Sequence, residues 1–154
     1  MNNTKNKRIT FFYMFWLFEC GCVQVGSKKY RMDIVATSGQ EQFDRLRFLH
    51  YPKTDLFLLC LNFENSSPKE SCQKWISEVR SFLKRRVPII LVLTKNDHSN
   101  QISKDLELIH PDIELVESCS ALTGQNVDHV FNQAARICFK HRRTSFSKIR
   151  DFLS

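Results

Sequence analysis

Four consecutive polar residues, Thr94 to Asp97, have the types and the position expected of a ligand-binding loop. They follow directly on five apolar residues, Ile89 to Leu93. A short continuous apolar run predicts a strand that is buried on both faces, which is typical of a parallel sheet covered by helices. Ligands of such sheets bind at the carboxyl ends of the strands, where these polar residues lie. Lysine and aspartate are also common loop residues, so the motif needs support from the rest of the chain.

The sequence Thr94-Lys95-Asn96-Asp97 resembles the guanine-recognition motif Thr-Lys-x-Asp of small GTP-binding proteins. By that resemblance, the Asp97 carboxylate accepts hydrogen bonds from the ring N–H and the exocyclic amine of guanine, a pair of donors that adenine lacks. A site built to pair particular polar groups rejects a ligand that leaves them unpaired by roughly four to five powers of ten. The methylenes of Lys95 could lie along the purine face while its ammonium stays solvated.

Residues 32–55 carry a longer resemblance. The Ras superfamily has Trp-Asp-Thr-Ala-Gly-Gln-Glu at this point, and its Rho branch continues with Tyr-Asp-Arg-Leu-Arg-Pro-Leu-Ser-Tyr-Pro-x-Thr-Asp. The chain is similar to a Rho-type small GTPase at Gly39, Gln40, Glu41, Asp44, Arg45, Leu46, Arg47, Leu49, Tyr51, Pro52, Thr54 and Asp55. The resemblance implies that the backbone N–H of Gly39 binds the γ-phosphate and that Gln40 orients the attacking water.

Two further positions bear on this resemblance. Ser120 and Ala121 match the Ser-Ala pair that makes the family's third base contact, so the Ala121 N–H would donate to the guanine carbonyl oxygen. The family's metal-side aspartate, by contrast, falls at Ala36, which cannot hold Mg²⁺ or its waters. Asp33 lies three residues earlier with the opposite side-chain parity and is a poor substitute, so we expect no metal ligand here and regard Mg²⁺ binding as doubtful.

The elements that must position these residues follow from hydrophobic patterning. Alternating apolar residues on either side of Gly26-Ser27 predict a hairpin, although Gly21 to Lys28 partly matches a phosphate-loop motif. Buried strands are predicted at 56–63, 89–93 and 113–116, and a brief helix at about 102–109. Two longer helices are predicted from apolar stripes, the first at Trp75, Ile76, Val79, Phe82 and Leu83 and the second at Val127, Val130, Phe131, Ala134 and Cys138.

By resemblance the fold is α/β, a three-layer P-loop-NTPase-like (Ras-like) mostly parallel sheet flanked by helices, lacking the first strand and first helix.

Composition sets the broad class. At 154 residues, 42% apolar and 25% charged, the chain is an ordinary globular domain. The net charge of +7 suits an anionic partner, but no recognition motif for nucleic acid accompanies it. The six cysteines do not have the spacing of a zinc site, and we interpret them as reduced thiols of a cytoplasmic protein.

The N-terminal residues are basic and then apolar, as in a secretory signal. The apolar run from Ile9 to Phe18 lacks a small-residue cleavage site and is too short to span a bilayer. With no prenylation signal at the other end of the sequence, we expect no stable membrane anchor. We divide the chain into a divergent apolar segment (1–17), an incomplete small-GTPase domain (18–140) and a basic C-terminal tail (141–154).

The functional expectation is a Rho- or Ras-type GTP-binding switch with impaired nucleotide binding and hydrolysis. About seventeen residues without glycine precede the hairpin, so a phosphate loop with its lysine is not expected in this chain. Contacts to guanosine alone would contribute about −6 kcal/mol, or tens of micromolar affinity at best. The alternative is a pseudo-GTPase that keeps the partner surface of residues 40–55 and binds Rho-type regulators or effectors without catalysis.

Overall fold

The computed structural model describes residues 17–25, 28–98, 102 and 110–152. The predicted turn at Gly26-Ser27 and all but one residue of the predicted helix at 102–109 lie outside the described residues. The described elements are five strands and three α-helices, with short 3₁₀ turns at Glu41–Phe43 and Tyr51–Lys53.

The first two strands form the predicted hairpin. Strand β1 (Leu17–Val25) pairs with β2 (Lys28–Ala36) in antiparallel register, with Val23 opposite Tyr30. A strand therefore follows the Gly21 to Lys28 segment where a phosphate loop would require a helix. The hairpin interpretation of this segment is confirmed.

The apolar run at 89–93 is the middle of a three-stranded parallel sheet. Strand β4 (Ile89–Thr94) pairs with β3 (Phe57–Asn62) on one side and with β5 (Ile113–Ser118) on the other. All five residues from Ile89 to Leu93 are buried, as expected of a strand covered on both faces. Because the strands are parallel, their carboxyl ends lie at one edge of the sheet.

Helices cover the two faces of this sheet, which confirms the three-layer α/β fold. Helix α2 (Pro68–Phe82) covers the face that carries Leu91 and its alternate neighbours on β4. Helix α3 (Val127–Phe152) covers the opposite face, which carries Ile90. The short helix α1 (Asp44–Phe48) lies between the hairpin and β3 in the chain.

The hairpin differs from the prediction of one mostly parallel sheet. Among the described strands, β1 and β2 form a separate two-stranded sheet and have no hydrogen-bonded ladder to β3. The hairpin instead joins the domain through side chains, because Val23 and Met32 belong to the core beneath α3. Hydrophobic burial can hold two sheets together without a shared ladder, since it is not directional.

The apolar stripe predicted for α2 is correct in its centre and wrong at one end. Ile76, Val79 and Leu83 are buried, and Trp75 packs partly against them. Phe82, however, is about half exposed and stacks on Phe48 of α1, with ring centroids 3.9 Å apart. Helical geometry places residues 76, 79 and 83 on one side, so Phe82 lies beside that stripe and meets α1 instead of the sheet.

The last helix continues further than its apolar stripe. Its core residues include the predicted Val130, Ala134 and Cys138, together with Ala135. The backbone stays helical through Phe152, so the segment we assigned to a basic tail is largely helical. Within the described part of the chain, no helix combines the length and the apolar character that crossing a bilayer requires.

An ion pair between α2 and the start of β5 makes a testable contribution to stability. Arg80 Nε donates to Asp112 Oδ2 at 2.7 Å, and Arg86 Nη2 lies 3.8 Å from Oδ1. The hydrogen bond from Arg80 is the largest influence on the Asp112 carboxyl and lowers its pKa below the ordinary value of 3.8. Because the folded pKa is the lower one, this stabilisation is present above about pH 4 and is lost as the pH falls through the folded pKa.

We therefore expect Asp112→Asn to lower the free energy of unfolding by about 1 kcal/mol at pH 7, the scale of a partly exposed ion pair. The difference from the unsubstituted protein should shrink towards zero near pH 2. Urea unfolding at both pH values measures it, and Glu64→Gln, which changes an exposed acid, is the control. An Asp112→Asn difference that is equally large at both pH values would contradict the assignment to the charged carboxylate.

Candidate functional site

Two loops meet at the carboxyl edge of the parallel sheet. The first leaves β4 at Thr94, and the second leaves β5 at Ser118. Backbone hydrogen bonds join them, since Cys119 N–H donates to Leu93 O at 3.0 Å and Asn96 N–H donates to Cys119 O at 3.2 Å. The two sequence motifs assigned to base recognition are therefore held side by side.

A hydrogen bond between side chains joins the two motifs directly. Ser120 Oγ donates to Asp97 Oδ1 at 2.5 Å, and Ser120 is fully buried. The same hydroxyl accepts from Thr123 N–H at 3.1 Å, and Ser120 N–H donates to Gln125 O at 3.0 Å. Ser120 thus fixes the carboxylate, which as an ionised group offers further acceptor positions beyond this bond.

The hydrogen bonds of Thr94 and Asn96 given by the structure are made with other residues of the protein. Thr94 Oγ1 donates to Leu61 O at 3.0 Å, and the Thr94 carbonyl accepts from Phe63 N–H at 2.7 Å. Asn96 is buried, and its side-chain amide donates to Ser118 Oγ at 3.1 Å. These two residues brace the loop, while Lys95 and Ala121 are exposed and Asp97 is partly exposed at its surface.

Lys95 has an unusual backbone conformation for a residue with a side chain. Its φ is +63°, in the left-handed region, which costs roughly 1–2 kcal/mol relative to ordinary conformations. The reversal at Lys95 turns the chain immediately after the strand. Asn96 can then reach Ser118 while Lys95 itself stays exposed.

The second loop depends on three residues that the sequence prediction did not select. Gly124 and Asn126 have φ values of +77° and +58°, and Asn126 Nδ2 donates to Ser118 O at 3.3 Å. Ser118 is the third, because its hydroxyl accepts from the side-chain amide of Asn96. Asparagine and glycine are the residues that enter the left-handed region most readily, so the Gly-x-Asn spacing was an available signal.

Gly39 and Gln40 follow β2 and lie in a different loop. Gln40 is exposed, its N–H donates to Ser38 Oγ at 3.2 Å, and its side-chain oxygen accepts from Gln42 Nε2 at 3.0 Å. In the described part of the chain, no hydrogen bond or ion pair links this loop to the loops after β4 and β5. The roles assigned to Gly39 and Gln40 remain predictions.

The end of β2 does not fit a Mg²⁺ site. Ala36 has no oxygen ligand in its side chain, and the nearest carboxylate on the strand, Asp33, accepts a hydrogen bond from Arg31 Nε at 3.0 Å. Hard cations such as Mg²⁺ require oxygen ligands or ordered waters held by them. Among the described residues there is also no group of three His, Cys, Asp or Glu that could hold a metal ion.

The thiols near the sheet are poor nucleophiles. Burial, with a smaller effect of Cys119, raises the pKa of Cys60 to about 12, and burial raises the pKa of Cys119 as well. The thiolate is the reactive form of cysteine. These cysteines therefore stay protonated at neutral pH and act as small apolar residues.

Comparison with known proteins identifies the family. The family model described as the Ras family matches residues 17–140, which include both loops and the hairpin. Among curated relatives, the Rho-related protein racL of Dictyostelium discoideum is 32% identical over 143 aligned residues. That alignment covers 81% of this chain and 72% of racL.

Proposed function

Because the chain belongs to the Ras family of GTP-binding signalling switches, we propose that the loops after β4 and β5 bind the guanine base of GTP or GDP. The observation that carries this proposal is the bond from buried Ser120 to Asp97 Oδ1. It fixes the carboxylate beside the exposed Lys95 and Ala121. A preformed acceptor binds without an ordering cost at the time of association.

Each group in this site has a distinct task. Asp97 would accept the two guanine N–H groups, and the N–H of Ala121 would donate to the guanine carbonyl. The Lys95 stem would cover one face of the ring. Thr94, Asn96 and Ser120 would act through the protein, because their contacts brace the loops that carry the other three residues.

We further propose that nucleotide binding is weak and GTP hydrolysis impaired in this chain. Gln40 would orient a water and Gly39 would contact the γ-phosphate, but Ala36 supplies no oxygen for Mg²⁺. Phosphoryl transfer depends on positioning and on charge stabilisation, so a missing metal contact removes a large part of the rate. The GTPase domain is proposed to span 18–140, between the apolar segment 1–17 and the basic segment 141–154, in a cytoplasmic protein.

Titration with a fluorescent GDP analogue tests base recognition. We expect a Kd of tens of micromolar at best, displacement by GDP and GTP but not by ATP, and little change when Mg²⁺ is removed. Equal displacement by ATP would refute guanine recognition. Tight binding that requires Mg²⁺ would leave guanine recognition intact but refute the impairment.

One observation favours a second function, a scaffold that binds Rho-type regulators or effectors without catalysis. Leu46 and Leu49, on and just after α1, are 41% and 70% exposed. Large apolar side chains left in solvent offer apolar area that a partner could bury. This surface lies within the predicted partner segment, residues 40–55.

We expect Leu49→Asp to reduce capture by immobilised Rho-type regulators at least tenfold, because burying an unpaired carboxylate in an apolar contact is costly. Its thermal stability should match that of the unsubstituted protein, since the side chain is exposed in the free protein. Leu122→Asp, which alters another highly exposed leucine outside this segment, is the matched control. Equal loss of capture in the two variants would argue against a specific surface at Leu49.

A further inference from the structure

Arg47 of α1 is a buried cation that holds three parts of the domain together. Its side chain is 2% exposed. Nε and Nη2 donate to the two oxygens of Glu78 on α2, at 2.9 and 2.8 Å, and Nη2 also donates to Asp44 Oδ1 at 2.5 Å. Nη1 donates to two backbone carbonyls of the loop after β2, Ser38 O at 2.9 Å and Gln40 O at 3.4 Å.

The surroundings of Arg47 keep the guanidinium in one orientation. It lies over the ring of Trp75, 5.0 Å from the centroid, and 5.5 Å from that of Phe48. Tyr51 donates its hydroxyl hydrogen bond to the same Glu78 carboxylate. Burial opposes the charged form, but the bonds to Glu78 and Asp44 outweigh it and raise the pKa of Arg47 above its usual value. Arg47 therefore stays positively charged, and all the N–H donors of its planar guanidinium group are used in hydrogen bonds.

The contact with Ser38 O has a consequence for the next residue. A trans peptide is planar, and its C=O and N–H groups point in opposite directions. Described residues contain no cis peptide bond. Since Ser38 O points at the guanidinium, the N–H of Gly39 points away from Arg47 and α2. The contact with Gln40 O limits the Gln40–Glu41 peptide in the same way.

We propose that Arg47 is a positioning residue that sets the direction of the Gly39 N–H and thereby tunes preference for a nucleoside triphosphate over a diphosphate. Only the triphosphate has the γ-phosphate that this N–H is proposed to contact, so the inference about triphosphate preference rests on the proposed function. The inference that Arg47 sets the direction of the Gly39 N–H concerns one peptide group and does not depend on any nucleotide. Glu78 is the partner that anchors Arg47 to α2.

The test compares Arg47→Lys with Arg45→Lys, a matched change at an exposed arginine of the same helix. Lysine keeps the positive charge but has three donors in place of five and lacks the planar fork that bonds Glu78, Asp44 and the two carbonyls. The chain has four glycines, so glycine-selective ¹⁵N labelling gives a simple amide spectrum in which the other three glycines are internal references. Affinities for GDP and for a non-hydrolysable GTP analogue are measured on the same full-length samples.

We expect Arg47→Lys to shift the Gly39 amide resonance while the other glycine resonances stay in place, and Arg45→Lys to shift none. The ratio of triphosphate to diphosphate affinity should fall about tenfold in Arg47→Lys, the scale of one hydrogen bond to a charged group. A merely structural role would lower both affinities equally. Glu78→Gln, which keeps the side-chain shape, replaces Arg47→Lys if that variant does not fold.

An unchanged Gly39 resonance in folded Arg47→Lys or Glu78→Gln would overturn the positioning role. A shifted Gly39 resonance with an unchanged affinity ratio would overturn the link to triphosphate preference. If the unsubstituted protein binds neither nucleotide, the proposed function fails, and the Gly39 resonance alone decides the positioning role.

Discussion

Replacing Asp97 with alanine is expected to lower the affinity for GDP about 100-fold, from tens of micromolar into the millimolar range. The carboxylate would form two charge-assisted hydrogen bonds with guanine, and losing both removes about 3 kcal/mol or more. Competition between GDP and a fluorescent GDP analogue measures the loss. Because ATP lacks the matching donor pair, the variant should also bind the two nucleotides equally weakly.

The Asp97→Ala change also removes the acceptor of the buried Ser120 hydroxyl, so its effect on binding must be separated from an effect on the loop. Asp97→Asn keeps an oxygen for Ser120 but loses the negative charge and replaces the second acceptor oxygen with an NH2 donor, so it should still weaken GDP binding at least tenfold. Asp128→Ala, at an exposed aspartate in the first turn of α3, is the control. If Asp97→Asn and Asp128→Ala both bind GDP as well as the unsubstituted protein, Asp97 does not recognise the base.

Leu91→Ala is expected to lower the free energy of unfolding by about 3 kcal/mol. Leu91 lies in the middle of β4, is 0% exposed, and packs in the cluster formed with α2. Truncation there removes buried apolar surface and leaves a cavity that a strand with partners on both sides cannot close. Urea unfolding followed by circular dichroism gives the difference, which is a large part of the 5–15 kcal/mol typical of a domain.

Leu122→Ala makes the same chemical change at a leucine that is 83% exposed. It should alter the free energy of unfolding by less than about 0.5 kcal/mol. Similar values for the two substitutions would mean that β4 is not the buried centre of the sheet. The contrast is sharp because the residue types are identical and only their burial differs.

The proposed partner surface at residues 40–55 shows how much a family resemblance can predict from sequence alone. Residues 40–55 were identified by matching residue types, yet nothing in the sequence distinguishes Leu46 and Leu49 from core leucines. In the structure α1 is a single short turn, and these leucines are exposed while Arg47 between them is buried. Patterning would predict the reverse, since arginine is rarely buried unless it is paired.

Local sequence determined most of the described strands and helices and indicated the two motifs that we propose for base recognition. Five apolar residues in a row predicted a strand covered on both faces, and in such a strand the polar residues that follow lie at its carboxyl edge. Alternation likewise specified the hairpin, because a period of two puts one face of each strand towards the core.

Only the tertiary structure decided which side chains meet. Docking of the elements brings Ser120 to Asp97 and Arg47 to Glu78 and Ser38 O. Docking also leaves the hairpin as a sheet of its own, separate from the parallel sheet. Periodicity shows which face of a helix or strand is apolar, because residues close together in the sequence define that face. Pairing across elements depends on the distance and direction of groups brought together by burial, which no local pattern contains.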